Sequence, residues 1–389
     1  MEKTIIEQNI SDEKNLLEDK SILAKKYAKT HQILYVIETI IFFAVILILL
    51  FSGLSKKIES IAYGYTSNNY FALLIFFCVI GIAESLITFS LGFYSDYILE
   101  HKYNLSNQSL TGYFKEKIKG FLVGLILGVP LMFAFYYILQ TYQNNWWLLL
   151  GVFMFLVSVI LGRLAPTLIM PLFYKFKPIE NESLKTKILE LCKKTGIHIK
   201  GIFTFNMSKN TKKANAAFTG MGKSKRIILG DTLIENFSED EIETVFAHEM
   251  GHYTKKHILK LMVVSTILTF AGLFITAQLY ESSLSYFGFT NISEIAALPL
   301  LFLYLSLYSL IISPISNIQS RKYEWEADTF ALDTTKDKIS FISAMEKLAD
   351  QNLADKTPNK VVEFLFHSHP SIKKRIEFAK NYKILESLH

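Results

Sequence analysis

The chain has 389 residues, of which 51% are hydrophobic and 20% charged, and its mean hydropathy is +0.28. Soluble domains carry about 25% charge, and here the apolar excess is gathered into solid blocks. This excludes a purely soluble, a disordered or a collagen-like chain, and also an outer-membrane barrel, whose strands alternate. The formal net charge of +6 is modest and is better explained by topology than by nucleic acid, so no nucleic-acid partner is expected; Cys78 and Cys192 read as unpaired thiols.

The first 31 residues are polar and mixed in charge, with no apolar core and cleavage site, so no secretory signal is predicted. A membrane span needs roughly 20 mostly apolar residues. Six segments qualify: Ile33–Leu54, Tyr70–Leu91, Phe121–Leu139, Trp146–Met170, Leu261–Leu279 and Ala296–Ile315. Lys102, Lys115, Lys117 and Lys119 lie between the second and third spans, whereas Thr141–Asn145 and Tyr280–Glu294 hold no Lys or Arg. With six spans every Lys-rich piece falls on one side, and the positive-inside rule makes that side the cytoplasm. Trp146 and Trp147 read as interfacial aromatics and Lys260 as an interfacial anchor. Glu84 and Arg163 lie deeper, and are expected either to pair with one another or to line a wet cavity.

The predicted organisation is a cytoplasmic segment over 1–31, four transmembrane helices over 32–170, a soluble block over 171–257, two more transmembrane helices over 258–315, and a second soluble block over 316–389. In the first block Leu184–Thr195 has helical periodicity. Ile202–Phe205 and Arg226–Leu229 read as short strands around a turn-rich stretch containing Asn215, Gly220 and Gly222. Ser238–His257 reads as a helix opened by a Ser238/Glu241 capping box. In the tail, helices are predicted around Ser320–Thr334, Ile339–Gln351 and Pro370–Glu386, with Pro370 in a first helical position.

The string His248-Glu249-Met250-Gly251-His252 is an H-E-x-x-H pattern. Residues i and i+4 share a helix face, so both imidazoles can reach one ion. Glu249 is rotated about 100° from His248, where it flanks the ion and is placed to take a proton from water. Zinc suits two imidazoles and a carboxylate and keeps one position open for water in a catalytic site, where it lowers the pKa of that water and polarises a carbonyl. The competing explanation is two helix histidines that happen to lie four apart. For a third ligand the best region is Ser320–Asp328. Glu324 and Asp328 share one helix face there, and Glu326 points roughly the opposite way. One carboxylate of the pair can bind metal while the other orients a ligand histidine; on spacing alone, a solvated charged helix accounts for the pair equally well.

HEMGH followed by SRKYEWEAD, with two spans between them, resembles the integral-membrane zinc proteases of the Ste24 type, the type I CAAX prenyl proteases of peptidase family M48. The strings LEHKYNLSNQS, APTLIMPLFYKFKPI, NAAFTGMGKSKRIILGDTLIE and FHSHPSIKKRI agree, and the resemblance runs from about Gln32 to the tail. It implies an all-α polytopic membrane protein of about six transmembrane helices carrying a small α+β zinc-metalloprotease domain of the HExxH, gluzincin-like type. It implies one Zn2+ on His248, His252 and Glu324, with Glu249 as general base. Asp328 would support the ligands and His369 would stabilise the oxyanion. Arg375 would lie near the substrate or support the site. Asn215 and Ala216 would sit on or beside an edge strand that pairs with the substrate backbone. On the residues alone, Asn215 reads as a turn residue and His369 as a helix cap.

The partners implied are a peptide or protein substrate, prenylated in a eukaryotic setting, and membrane lipid. The location implied is a bacterial cytoplasmic membrane, or the endoplasmic reticulum membrane in a eukaryote, with the catalytic parts cytoplasmic. Eukaryotic members of the family usually have seven spans; six here predict a smaller or more open version of the family's enclosed chamber. Two rival readings are a quality-control protease similar to the HtpX heat-shock proteases and a non-catalytic membrane scaffold with structural zinc. The four spans ahead of the zinc motif disfavour the first, and Glu249 disfavours the second.

Overall fold

The structure is a computed structural model that describes residues 2–219 and 226–384; the predicted turn glycines Gly220 and Gly222 lie outside the described residues. α1 (Glu2–Phe51) runs unbroken from the polar N-terminal segment into the first span. It is followed by Gly53, whose φ of 72° is a left-handed conformation open to glycine. Between the first two predicted spans the chain forms α2 (Leu54–Tyr65), which buries Ser55, Ile58 and Ala62 along one stripe. α3 (Asn69–Phe93) is capped by the Asn68 side chain and continues through a π-helical turn (Tyr94–Leu99) into α4 (Glu100–Lys102). α5 (Leu110–Thr141) and α6 (Trp146–Leu164) follow, and a second π turn (Ala165–Ile169) leads into α7 (Met170–Phe173).

The first soluble block comprises β1 (Phe176–Pro178), α8 (Glu182–Lys194), β2 (Gly201–Phe205), β3 (Ala216–Thr219), β4 (Arg226–Gly230), α9 (Asp231–Asn236) and α10 (Glu239–Thr254). The chain then crosses back and forth in α11 (His257–Ser283) and α12 (Leu298–Thr335), and ends in α13 (Lys338–Gln351), α14 (Lys360–Phe366) and α15 (Ile372–Asn381).

Among the described residues six helices are long and apolar enough to cross a membrane, and each predicted span falls on one of them. Only 11–39% of each apolar window is buried within the chain, so most of that surface faces outward. Lipid, unlike water, allows this. Trp146 is a correction: it is fully buried and its indole N–H donates to Glu281 Oε1 at 3.0 Å, so it is part of the core and not a lipid-interface anchor. Neither Glu84 nor Arg163 lines the large cavity described below, and no ion pair joins them among the described residues.

The two ends of the helix array carry different partners. At one end Lys56 donates to the Gly288 carbonyl at 2.5 Å, and Glu59 Oε1 accepts from the Ala296 amide at 3.2 Å. At the other, the soluble block docks: Lys213 Nζ lies 2.9 Å from Tyr27 Oη and 3.0 Å from Glu100 Oε1, and the Lys212 amide donates to the Leu105 carbonyl at 2.8 Å. The N-terminal end of α1, the 99–120 segment and the soluble block therefore share one side.

The sheet order is β1-β2-β4-β3, with β2 and β4 parallel and both outer pairs antiparallel; Ala216 stands opposite Leu229 and Thr219 opposite Arg226. β1 and β3 escaped the periodicity reading because they span only three and four residues and have no alternating burial. Leu184 and Ile188 of α8, Phe246 and Met250 of α10, Leu332 of α12 and Phe341 of α13 share one apolar core, so the two soluble blocks fold as one body.

Three predicted boundaries change. The tail helix placed at Ser320–Thr334 is the end of α12, a single 38-residue helix that runs on from the last span through Pro314. The helix placed at Ser238–His257 stops at Thr254, and Lys256 (φ 57°) turns the chain so that His257 opens α11. α15 starts at Ile372, and Pro370 stands outside it because the Glu363 carboxylate holds the Ser371 amide (3.1 Å) in the preceding turn.

α10 crosses α12 where Gly251 meets Ala327. A Cβ on Gly251 would lie 2.9 Å from the Ala327 Cα, closer than packed carbons approach. Gly251→Ala should therefore force the helices apart and cost about 1–3 kcal/mol, despite the roughly 1 kcal/mol that Ala gains over Gly in a helix. A lower thermal midpoint in detergent checks this.

Candidate metal centre and active site

α10 starts with the predicted capping box: Ser238 Oγ accepts from the Glu241 amide (3.3 Å), and Glu241 Oε2 accepts from the Ser238 amide (2.7 Å). Glu241 also takes bonds from Ser343 (2.5 Å) and Lys347 (2.7 Å) of α13. Burial would push its carboxyl up, but these bonds hold it below the usual carboxylate range. The start of α10 is thereby pinned, and with it the phase of His248 and His252 two turns later.

The Nε2 atoms of His248 and His252 lie 3.1 Å apart. Glu324, reaching across from α12, puts Oε2 3.3 Å from His248 Nε2 and Oε1 3.2 Å from His252 Nε2. One donor atom from each of the three lies within 4.8 Å of the others. The other nitrogen of each ring has its own partners. His248 Nδ1 lies 2.8 Å from Asp328 Oδ1, an acceptor for its proton, and 3.3 Å from Arg375 Nη2, while His252 Nδ1 lies 3.1 Å from His257 Nδ1. With both ring protons on Nδ1, the two Nε2 lone pairs face a buried carboxylate whose Oε2 accepts no hydrogen bond among the described residues. Two imidazole nitrogens and a carboxylate converge, and a divalent cation suits such a set.

Asp328 is completely buried and paired with Arg375, itself 6% exposed; Nε donates to Oδ2 at 2.8 Å and Nη2 to Oδ1 at 2.5 Å. Arg375 is therefore a buried support for Asp328 and does not face solvent. Glu249 is half-buried beside the ligands, and its removal from water pushes its carboxyl above the ordinary range. His369, on the turn between α14 and α15, is exposed and places Nε2 3.3 Å from Glu324 Oε1. Arg321 ties that turn to α12 by donating to the carbonyls of Glu363 (3.1 Å) and His367 (2.6 Å). Asn215 is exposed at the start of β3, with its carbonyl accepting from the Gly230 amide at 2.9 Å. β3 pairs only with β4 among the described strands, so Ala216 lies on an edge strand.

A cavity of about 1670 Å³ runs between α5, α6, α11 and α12 and reaches His252. Phe135, Phe153, Met262, Leu268 and Phe302 are among its walls. It opens toward the site beside Phe218 of β3, whose ring lies 4.9 Å from that of Tyr253.

Sequence reasoning missed His257 and Glu326, which bond one another at 3.0 Å (Nε2 to Oε2) behind His252. His257 follows His252 by five residues across a helix break, which helical spacing does not flag. Glu326 follows Glu324 by two residues, a spacing that gives no shared helix face, and it joins the site only through His257 of α11.

Arg375→Ala would leave the Asp328 carboxylate buried without its partner. It should cost about 3–5 kcal/mol in a chemical-denaturation measurement, and Arg375→Lys, which cannot fork, should recover only part of it.

Residues 178–383 match the model of peptidase family M48, and residues 12–175 match the CAAX prenyl protease N-terminal unit, described as five membrane helices. Four of the six candidate spans of this chain fall in the second match. An uncharacterized metalloprotease of Bacillus subtilis, YhfN, is 30% identical over 92% of this chain and 85% of its own length. CAAX prenyl protease 1 of Saccharomyces cerevisiae is 28% identical over 77% of this chain and 70% of its own. The crystal structure of S. mikatae Ste24p superposes with a TM-score of 0.82 at 26% identity, covering 94% of this chain and 89% of that one. The chain belongs to peptidase family M48 and is a membrane-integral metalloendopeptidase.

Proposed function

We propose that the chain is a zinc metalloendopeptidase that cleaves a lipidated C-terminal peptide, with a prenylated CAAX sequence as the substrate class. One observation carries this reading: the donors of His248, His252 and Glu324 converge at the end of an apolar cavity that reaches His252. Relatives named CAAX prenyl protease supply the substrate class.

His248, His252 and Glu324 would hold the ion, and zinc fits two imidazoles and one carboxylate. When bound, zinc supplies Lewis-acid chemistry toward water and the scissile carbonyl. Glu249 takes the proton of the attacking water and returns it to the leaving amine, a task helped by a carboxyl pKa raised toward the working pH. His369 donates from Nε2 to the developing oxyanion. Asp328, held by Arg375, keeps the His248 proton on Nδ1. The substrate backbone adds as a strand along β3 at Asn215 and Ala216, which presents the scissile bond without demanding one side-chain sequence.

Residues 171–257 and 316–389 form the catalytic unit, 32–170 and 258–315 the membrane unit, and 1–31 a cytoplasmic segment. The Lys-rich segments sit at the end of the helix array where the catalytic unit docks, so the positive-inside rule puts catalysis at the cytoplasmic face. A quality-control protease and a structural-zinc scaffold are not favoured. The match to the CAAX protease N-terminal unit argues against the first, and a half-buried Glu249 beside the donor set argues against the second.

Glu249→Gln should retain one zinc per chain and lose roughly 10²–10⁴-fold in turnover of a farnesylated CAAX peptide. Undiminished cleavage would sink the mechanism, and cleavage of misfolded membrane proteins in preference to the peptide would favour the quality-control reading. Thr269→Trp, on the cavity wall, should raise KM several-fold for the farnesylated peptide and far less for its unprenylated counterpart.

A further inference from the structure

His252 is the more exposed of the two imidazole donors, at 21% of its side chain against 10% for His248, and it stands at the mouth of the cavity. An imidazole there has two tautomers, and only the one with its proton on Nδ1 leaves Nε2 bare toward the ion. His248 has a carboxylate, Asp328, directly against Nδ1. Among the described residues no carboxylate is paired with His252 on that side. Its Nδ1 instead meets His257 Nδ1 at 3.1 Å, and His257 Nε2 meets Glu326 Oε2 at 3.0 Å.

The proton assignment in this chain is forced from its outer end. Ionised Glu326 accepts only, so His257 carries its proton on Nε2. Its Nδ1 is then bare and accepts the Nδ1–H of His252. Two further features fix the His257 ring. It is 1% exposed, and it stacks on Tyr323 with centroids 4.4 Å apart and planes 11° apart. Tyr323, Glu324 and Glu326 belong to one turn of α12, so the turn that supplies the third donor also supplies the stacking surface and the end of the relay. Lys260, 3.9 Å from Glu326, favours the charged carboxylate.

We infer that His257 and Glu326 are positioning residues that hold His252 in its metal-binding tautomer, through an imidazole relay in place of a direct carboxylate. The inference rests on the metal-site reading above. Partners that orient ligand histidines are worth roughly 10–100-fold in metal affinity.

The test uses the full chain in detergent, stripped of metal and titrated with Zn2+ against a competing chromophoric chelator. Thermal melts of the metal-free forms and the Co2+ absorption spectrum are recorded alongside. His257→Phe keeps a ring to stack on Tyr323 but cannot accept from His252, and should lower zinc affinity roughly 10–100-fold and shift the Co2+ bands. His257→Gln, whose amide both accepts and donates, should restore most of the affinity. Glu326→Ala, at a side chain one-third exposed, should lose roughly tenfold with an unchanged metal-free melt, and so reports even where His257→Phe fails to fold. Wild-type affinity and spectrum in Glu326→Ala, or a loss in His257→Gln as large as in His257→Phe, overturns the inference. Failure of the wild-type chain to bind zinc overturns the metal reading itself, and this relay with it.

Discussion

Everything at the site depends on the contact between α10 and α12 at Gly251 and Ala327. His248 and His252 lie on one helix and Glu324 on the other, and a membrane hairpin separates them in sequence. A glutamate side chain is short, so it touches both imidazoles only if the two backbones nearly meet. A glycine inside the H-E-x-x-H string removes the one side chain that would keep them apart. The core shared by α8, α10, α12 and α13 holds the crossing from behind. α11 and α12 thus serve as more than anchors, because their ends at the soluble block deliver Glu324, Glu326 and His257 to the histidine helix.

Charge burial follows a consistent pattern around this crossing. A buried charge is costly unless it is paired and hydrogen-bonded. Asp328 has Arg375 and His248, Glu241 has Lys347, Ser343 and its own cap, and Glu363 has Lys374 and the Ser371 amide. Glu324 breaks the pattern, since its Oε2 is buried and accepts no hydrogen bond. The exception falls on the residue that faces the Nε2 atoms of His248 and His252, with His369 Nε2 and Arg375 at its edges, where a cation would complete the set.

The membrane helices and the soluble unit are joined by polar contacts. The string LEHKYNLSNQS supplies Glu100, Leu105 and Ser106, which bind Lys213, Lys212 and the Asn210 carbonyl of the loop before β3. The same loop leads into Asn215 and Ala216, so the edge strand is held from the spans as well as from β4. The apolar cavity then runs from between the helices to His252 beside that strand. A chain whose lipid sits between helices and whose backbone pairs with an edge would carry its peptide bond past the donor set.

Much of this was legible in the residues. Solid apolar runs marked the six spans because bilayer thickness fixes helix length, and Lys distribution grouped the segments that meet at one end of the helix array. The spacing of His248, Glu249 and His252 gave a shared face because the helical repeat is fixed. The capping box at Ser238 was readable because its partners are three residues apart. Short-range geometry carries all of these. Other features were decided only by the fold. β1 and β3 are too short to show a period, and α2 is too short to be a span. Trp146 reads as interfacial until Glu281 is seen against it. Glu324 and a solvated charge were equal on spacing, and burial against α10 distinguished them. Arg375 became a buried fork on Asp328, and His257 with Glu326 became visible, only when α11 and α12 met α10. Sequence periodicity reports which face a residue occupies; which groups stand opposite that face is a property of helix packing, and the site is made of such facing pairs.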